Sequence, residues 1–180
     1  MYNFEYHRPK SVADAVAALK KASDGKLIAG GQTLIPTLKQ RLAQPSDLID
    51  LSGVAELRGI KVDGKTVTIG AMTKHAEVAN SAEVAKAIPA LSEMAKVIGD
   101  PQVRNVGTLG GSIANADPAA DYPAAIVGLG ATIKTNERSI AGDEFFKGIF
   151  TTALKEGELI VSVSFPAPEK AAYMKFRNPA

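Results

Sequence analysis

The sequence contains no cysteine among its 180 residues. This absence excludes disulfides, thiolate nucleophiles and any iron–sulfur cluster held by this chain alone. Histidine is scarce too, because only His7 and His75 occur, far apart and near no paired acidic motif. We therefore expect no metal site and take both histidines to be surface or half-buried residues.

Long apolar runs and blocks of one charge are also missing. The longest nearly apolar run, PAAIVGLGATI, is far shorter than the ~18 residues that a membrane-spanning helix needs. The first residues, MYNFEYHRPK, have no apolar signal-peptide core. The net charge is +2, without a basic run interleaved with aromatics, so nucleic acid is not an expected partner. We expect a soluble, cytoplasmic protein with no membrane-spanning segment.

What is present is an ordinary globular composition, with 46% hydrophobic and 22% charged residues. The first fifty residues predict the order helix, strand, glycine turn, helix, strand. Ser11 and Asp14 form a predicted capping box for the first helix, and Gly25 is its predicted C-terminal stop. Thr33 is the predicted cap of the second helix. The predicted strands are KLIA and SDLIDL, and the second helix is LIPTLKQRLA.

Residues 57–70, LRGIKVDGKTVTIG, alternate around Asp63-Gly64 and predict a β-hairpin. The letters from Gly59 to Thr66 also match the P-loop pattern. A P-loop feeds a helix, whereas this segment feeds a β-branched strand, so we reject nucleotide triphosphate binding here.

Later segments predict further helices and strands. Val161, Val163 and Phe165 are expected to share one face of the last strand. The predicted class is α/β (α+β) with two small lobes, covering residues 1–55 and 56–180. The predicted helices are 74–80, 83–98 and 121–129, and the predicted strands are 131–135 and 158–165.

Two glycine-rich turns remain, IAGGQTL at 28–34 and VGTLGGSIANADPAAD at 106–121. Each can present consecutive backbone N–H groups, which attract phosphate oxygens, and the first also leads into a helix N-terminus. The alternative is that both segments are tight structural turns that require positive φ and bind no ligand. In that case Asn115, Asp117 and Asp121 only cap helices. Both interpretations stay open on the residues alone.

The sequence does not support a serine-hydrolase site or a Rossmann dinucleotide site. The run from Gly110 to Ala114 is one residue away from a G-x-S-x-G nucleophile elbow, but both histidines precede Ser112, so the usual order of a serine hydrolase is unavailable. No G-x-G-x-x-G follows a strand, so a Rossmann site lacks support.

AGGQTLIP followed about seventy residues later by RNVGTLGGSIANADPAAD resembles the FAD-binding (medium) subunit of molybdenum hydroxylases. This family includes carbon monoxide dehydrogenase and is similar to the flavin domain of xanthine dehydrogenase. The resemblance runs from FEYHRPKSVADAVAAL to ELIVSVSFP and YMKFRNPA, which is essentially the whole chain. It implies the two-lobed flavin-binding fold of the vanillyl-alcohol oxidase (PCMH) type, with FAD between the lobes.

The resemblance also implies the cofactor contacts, which are chiefly backbone amides around the pyrophosphate in the first motif. No catalytic acid, base or nucleophile is implied. The residues implied to bind FAD are Lys26, Leu27, Ile28, Ala29, Gly30, Gly31, Gln32, Thr33, Leu34 and Ile35 in the first motif, Gly107, Thr108, Gly111, Ser112, Asn115, Ala120 and Asp121 in the second, and Ile160 with Arg177 or Lys175 near the end.

The chain departs from the family pattern in two ways. Gln32 and Thr33 stand where many relatives have histidine and serine, and Ser112 where asparagine is common; all keep hydrogen-bonding ability. Relatives also continue into a small C-terminal domain, whereas this sequence stops at Ala180, so we expect a fragment.

The implied function is electron relay. A large molybdopterin subunit would oxidise the substrate, and a small subunit with [2Fe–2S] clusters would pass electrons to this FAD. An external acceptor (NAD, a quinone or oxygen) would then take them. The alternatives are a stand-alone flavin oxidoreductase of the same fold and a non-catalytic α/β interaction module.

Overall fold

The N-terminal part of the chain, in a computed structural model that describes residues 1–177, forms a small parallel sheet. Its strands are ordered β1-β3-β2, and Ile49 of β3 lies between His7 of β1 and Leu27 of β2. Parallel neighbours need crossover connections, and two helices supply them. The elements are β1 (Glu5–His7), α1 (Val12–Lys21), β2 (Gly25–Ile28), α2 (Leu34–Lys39) and β3 (Asp47–Asp50).

The start of α1 is confirmed, but its predicted end is wrong. The Ser11 hydroxyl accepts a hydrogen bond from the Asp14 backbone N–H at 3.1 Å. The helix ends at Lys21, and Ala22 is already extended. Gly25 instead opens β2, where an added Cβ would lie 2.9 Å from the Ala22 Cβ. This glycine is therefore explained by close packing rather than by a helix C-cap.

The second helix also differs from its prediction. Thr33 occupies the N-cap position, as predicted, but it has helical backbone angles and its side chain makes no capping hydrogen bond. The Thr37 hydroxyl donates back to the Thr33 carbonyl at 2.9 Å. The helix stops at Lys39 rather than residue 43, because Arg41 adopts a left-handed φ of 59°.

The second sheet is antiparallel, with strands ordered β4-β5-β10-β6-β7. The predicted hairpin is confirmed, with Val62 opposite Val67 and Gly64 at a φ of +56° in the turn. Lys65 and Thr66 thus lead into a strand, as expected of a hairpin and not of a P-loop. The strands are β4 (Ile60–Asp63), β5 (Thr66–Gly70), β6 (Thr132–Thr135), β7 (Ser139–Ala141) and β10 (Ile160–Pro166).

The expectation that Val161, Val163 and Phe165 share one face is wrong for Val161. The register of β10 against β6 shifts between Ile160 and Ser162, which marks a β-bulge. Val163 and Phe165 enter the core beside the large sheet. Val161 instead packs against the core of the N-terminal sheet.

Helices and two short strands complete the fold. The predicted helix 83–98 is two helices, because Pro89 forces Ile88 out of the helical conformation. The segment 109–115, which we treated as a glycine turn, is helical. The remaining elements are α3 (His75–Asn80), α4 (Ala82–Ala87), α5 (Pro89–Lys96), α6 (Pro101–Arg104), α7 (Leu109–Asn115), α8 (Tyr122–Gly128), α9 (Gly142–Phe145), β8 (Phe146–Gly148) and β9 (Thr151–Thr152).

Two hydrophobic cores support the two sheets. One contains Val163 and Phe165, and the other contains Ala15 and Ile49 together with Leu159, a residue far along the chain. The predicted α/β class is confirmed, whereas a lobe boundary at residue 55 stays a prediction. Within residues 1–177, none of the helices has the length and apolar character needed to cross a membrane.

Candidate functional site

A cavity of about 610 Å³ lies where the two glycine-rich segments meet the first residue of β10, Ile160. Most of the residues implied by the family resemblance surround it. They are Lys26, Leu27, Ala29, Gly30, Gly31, Gln32, Thr33, Leu34, Gly107, Thr108, Gly111, Ser112, Asn115, Ala120 and Ile160.

Five residues of the implied set do not line this cavity: Ile28, Ile35, Asp121, Lys175 and Arg177. Ile28 and Ile35 pack under the first turn, each with a side-chain carbon within 3.3 Å of the position of a Cβ on Gly31. The Asp121 carboxylate accepts hydrogen bonds from the Tyr173 hydroxyl at 2.5 Å and the Lys175 ammonium at 2.9 Å. Arg177 is exposed. Lys175, the other basic candidate, is thus engaged by Asp121.

The two glycine segments touch each other beside the cavity. A Cβ on Gly30 would lie 2.5 Å from the Val106 carbonyl oxygen and 2.7 Å from the Gly107 Cα. Both neighbours are backbone atoms, which cannot rotate away as a side chain can. A glycine is therefore needed at position 30 because the backbone of Val106, 76 residues further along the chain, lies against it.

Only the first segment offers a run of consecutive free amides. Among residues 1–177, the backbone N–H groups of 30–33 have no hydrogen-bond acceptor, although all four residues line the cavity. In the second segment, by contrast, Gly107 donates to Val103, Leu109 to Thr73, and Gly110 to Ala71. The expectation that both turns present consecutive amides is therefore met by 30–33 alone, because in the second segment bonded amides flank the N–H of Thr108, which is free within residues 1–177.

The second segment forms a capped helix rather than a loop. The Thr108 hydroxyl accepts from the Gly111 N–H at 3.2 Å, which makes Thr108 the N-cap of α7. Ala116 ends the helix with a left-handed φ of 49°. Ser112 lies inside this helix, so it is not on the strand-to-helix turn that a nucleophile elbow needs.

The alternative in which Asn115, Asp117 and Asp121 only cap helices is wrong, because none of these side chains makes a helix-capping hydrogen bond within residues 1–177. The Asp117 carboxylate accepts from the Ala119 N–H at 2.8 Å, which is a local turn. Asp121 precedes α8 but makes no capping hydrogen bond. Asn115 is the last residue of α7 and faces the cavity.

A buried ion pair, which the sequence analysis missed, supports the wall beside Ile160. The Glu158 side chain is fully buried and accepts from Arg138 Nε at 3.0 Å and from the Thr135 hydroxyl at 2.6 Å. The Lys155 N–H also donates to it, at 2.8 Å. The Arg138 guanidinium is the main reason that the pKa of Glu158 falls from 4.5 to about 2, outweighing the effect of burial. The carboxylate is therefore ionised and holds the segment before β10.

His75 is a second cavity residue that the sequence analysis missed. Its side chain is 5% exposed, contrary to the expected surface or half-buried position. Burial lowers the pKa of His75 to about 4, and the charge of Asp121 offsets only part of that effect. His7 does match the expectation, half-buried with Nε2 2.6 Å from an Asp47 oxygen. Neither the burial of His75 nor the contact of His7 with Asp47 has a local sequence signal, because both depend on residues distant in sequence.

The lining is mainly apolar and carries the free amides at one end. Residues 1–177 contain no group of three or more His, Asp or Glu side chains placed to hold a metal ion. The arrangement can hold an extended ligand that has an anionic portion and a large apolar portion. The fold and site thus define an α/β ligand-binding domain.

Comparison with known proteins identifies the family. Residues 2–168 match the model of the FAD binding domain in molybdopterin dehydrogenase, and the chain belongs to this family. It is 47% identical to the carbon monoxide dehydrogenase medium chain of Hydrogenophaga pseudoflava, over 91% of this chain and 59% of that one. It is 42% identical to the corresponding chain of Afipia carboxidovorans, over 98% and 64% of the two lengths.

The structural comparison agrees. A solved carbon monoxide dehydrogenase from Hydrogenophaga pseudoflava, lacking the Mo-pyranopterin moiety of its cofactor, superposes with a TM-score of 0.94 at 45% identity, over 98% of this chain and 64% of that chain. The predicted family and cofactor, FAD, are confirmed. The chain spans about three fifths of the length of the curated relatives that it matches.

Proposed function

We propose that this chain is the FAD-binding portion of the medium subunit of a molybdenum-containing dehydrogenase, and that it relays electrons. The observation that carries the proposal is the run of unpartnered backbone N–H groups at 30–33, open to a cavity of about 610 Å³. Consecutive amides of this kind bind phosphate oxygens, and FAD contains a pyrophosphate. Family membership supports the same assignment.

The chain's own residues bind and orient the cofactor in this proposal. The amides of 30–33 hold the pyrophosphate, and the second segment, from Gly107 to Ala120, forms the adjoining wall. Apolar residues such as Leu27 and Ile160 exclude water from the rest of the cofactor. FAD supplies one- and two-electron redox chemistry when bound. Of the residues implied by resemblance, we keep those that line the cavity as proposed contacts and give Ile28, Ile35, Asp121, Lys175 and Arg177 no direct contact.

The electron path extends beyond this chain. In this proposal the electrons arrive from iron–sulfur clusters, which the 180 residues of this sequence cannot ligate through cysteine because they contain none. We propose a small [2Fe–2S] subunit as the donor and a large molybdopterin subunit as the site of substrate oxidation. NAD, a quinone or oxygen is the proposed acceptor, and the cytoplasm the proposed location. The names of the relatives, medium chains of carbon monoxide dehydrogenases, support this assembly.

The first test is titration of the flavin-free chain with FAD, followed by visible absorbance and by quenching of flavin fluorescence. We expect saturable binding, and weaker binding of FMN, which lacks the pyrophosphate and adenosine. A chain that binds neither flavin would refute the proposal. Equal affinity for FMN and FAD would refute the pyrophosphate assignment of residues 30–33.

The electron-relay part needs a separate test. The chain is co-expressed with a small [2Fe–2S] subunit and a large molybdopterin subunit. We expect a complex whose flavin is reduced when substrate reduces the molybdenum centre of the large subunit. A flavin that stays oxidised while the iron–sulfur clusters become reduced would refute the relay and leave FAD binding intact.

A further inference from the structure

The His75 imidazole lies against the second glycine segment at the cavity wall. The His75 backbone N–H donates to the Gly107 carbonyl at 3.0 Å, which fixes the start of α3 beside that segment. A Cβ on Gly107 would lie 2.7 Å from His75 Nε2. Because Gly107 has no side chain, the imidazole ring of His75 can approach its backbone closely. The Nε2 atom then faces Gly107, which lines the cavity.

The two ring nitrogens have different surroundings. Nδ1 is enclosed and has no hydrogen-bond partner within residues 1–177. Tyr122, whose ring centroid is 5.3 Å from that of His75, has an enclosed hydroxyl that is also unpartnered in the described chain. A neutral imidazole carries one N–H, and a buried donor left without an acceptor destabilises the folded protein. Placing the proton on Nε2 avoids this destabilisation when the cavity holds an acceptor.

The electrostatic surroundings keep this ring uncharged. Asp121 is the charged group that acts on His75, and its carboxylate already accepts from Tyr173 and Lys175. Burial outweighs the attraction of Asp121 for a second proton on the ring. Because the amides of 30–33 are already assigned to the pyrophosphate, we assign this neutral donor to an uncharged acceptor, such as a carbonyl, a ring nitrogen or a sugar hydroxyl.

We propose that His75 is a further FAD-binding residue, donating a hydrogen bond from Nε2–H to an uncharged acceptor atom of the cofactor. The inference rests on the proposed function, because it needs FAD in this cavity. It places a side-chain donor beside the second segment, where the N–H groups of Gly107, Leu109 and Gly110 are bonded within the protein.

The test compares His75→Phe and His75→Gln with the unaltered chain. Phenylalanine keeps an aromatic ring against Tyr122 but removes the donor, whereas glutamine keeps a donor. Since a hydrogen bond contributes about 0.5–1.5 kcal/mol net, we expect the FAD dissociation constant to rise up to about tenfold for phenylalanine. Glutamine should recover part of that loss. Thermal unfolding without FAD, measured in parallel, separates a loss of folding from a loss of binding.

Nitrogen-15 NMR of the unaltered chain supplies a measurement that needs no variant. We expect the Nε2-protonated tautomer of His75 in the FAD-bound form, with a shift of its signal on binding. An Nδ1-protonated ring, or a dissociation constant unchanged by His75→Phe, would overturn this inference alone. Failure of the unaltered chain to bind FAD would overturn the proposed function and this inference with it.

Discussion

The Glu158–Arg138 pair allows a quantitative prediction for Glu158→Gln. Glutamine keeps the size of the side chain and removes its charge, so it mimics the protonated carboxyl group. The gap between the ordinary pKa of 4.5 and the folded value of about 2 corresponds to about 3 kcal/mol. Because Arg138 is 39% exposed and partly solvated, we expect a loss of about 2–3 kcal/mol in the free energy of unfolding near neutral pH.

The pH dependence has a defined sign. A folded pKa below the unfolded one stabilises the protein above 4.5, and this contribution is lost as pH falls towards 2. The difference between the original chain and Glu158→Gln should therefore be full near neutral pH and shrink across that window. Urea denaturation at several pH values measures both quantities.

A matched control is Glu156→Gln, since Glu156 is exposed and forms no salt bridge within residues 1–177. We expect its unfolding free energy to stay within about 0.5 kcal/mol of the original. A Glu158→Gln variant as stable as this control, or a difference that does not change with pH, would refute the role assigned to the ion pair.

Two glycine substitutions test the cavity walls, and a third, in the hairpin turn, is their control. Gly111→Val should abolish FAD retention, because its Cβ would lie 2.9 Å from the Thr108 hydroxyl that caps α7; a folded, fully loaded variant would refute this. Gly30→Ala should lower stability by about 1–3 kcal/mol and weaken FAD binding, because its Cβ meets the Val106 carbonyl at 2.5 Å. Gly64→Ala is the matched control: with no neighbour within 4 Å and a φ of +56°, it should cost about 1 kcal/mol in urea denaturation and leave the FAD dissociation constant unchanged. Lost flavin binding in this control would contradict the hairpin interpretation.

Features with a short sequence span were predictable. The hairpin around Gly64 follows from alternation on both arms and a two-residue turn, all within a few residues. The start of α1 at Ser11 follows in the same way from its capping pattern. The end of α2 was not predictable, because the left-handed conformation of Arg41 has no local residue signal.

The candidate site was predictable in part. The motif pair indicated which segments surround the cavity, because the family pattern includes both glycine runs. It did not indicate which amides stay free, since that depends on Gly110 donating to Ala71 across the fold. It also placed Asp121 at the cofactor, whereas Tyr173 and Lys175, more than fifty residues later, engage its carboxylate.

The sequence alone determined the α/β class, the hairpin and the two glycine segments, because these follow from local patterning and from a family pattern. Only the tertiary structure showed why a glycine is needed at position 30, since the Val106 carbonyl that lies against Gly30 is 76 residues away in sequence. It likewise decided that Glu158 is ionised and that His75 is neutral at the cavity. Burial and ionisation depend on what the fold places nearby, and neighbours distant in sequence supply those contacts.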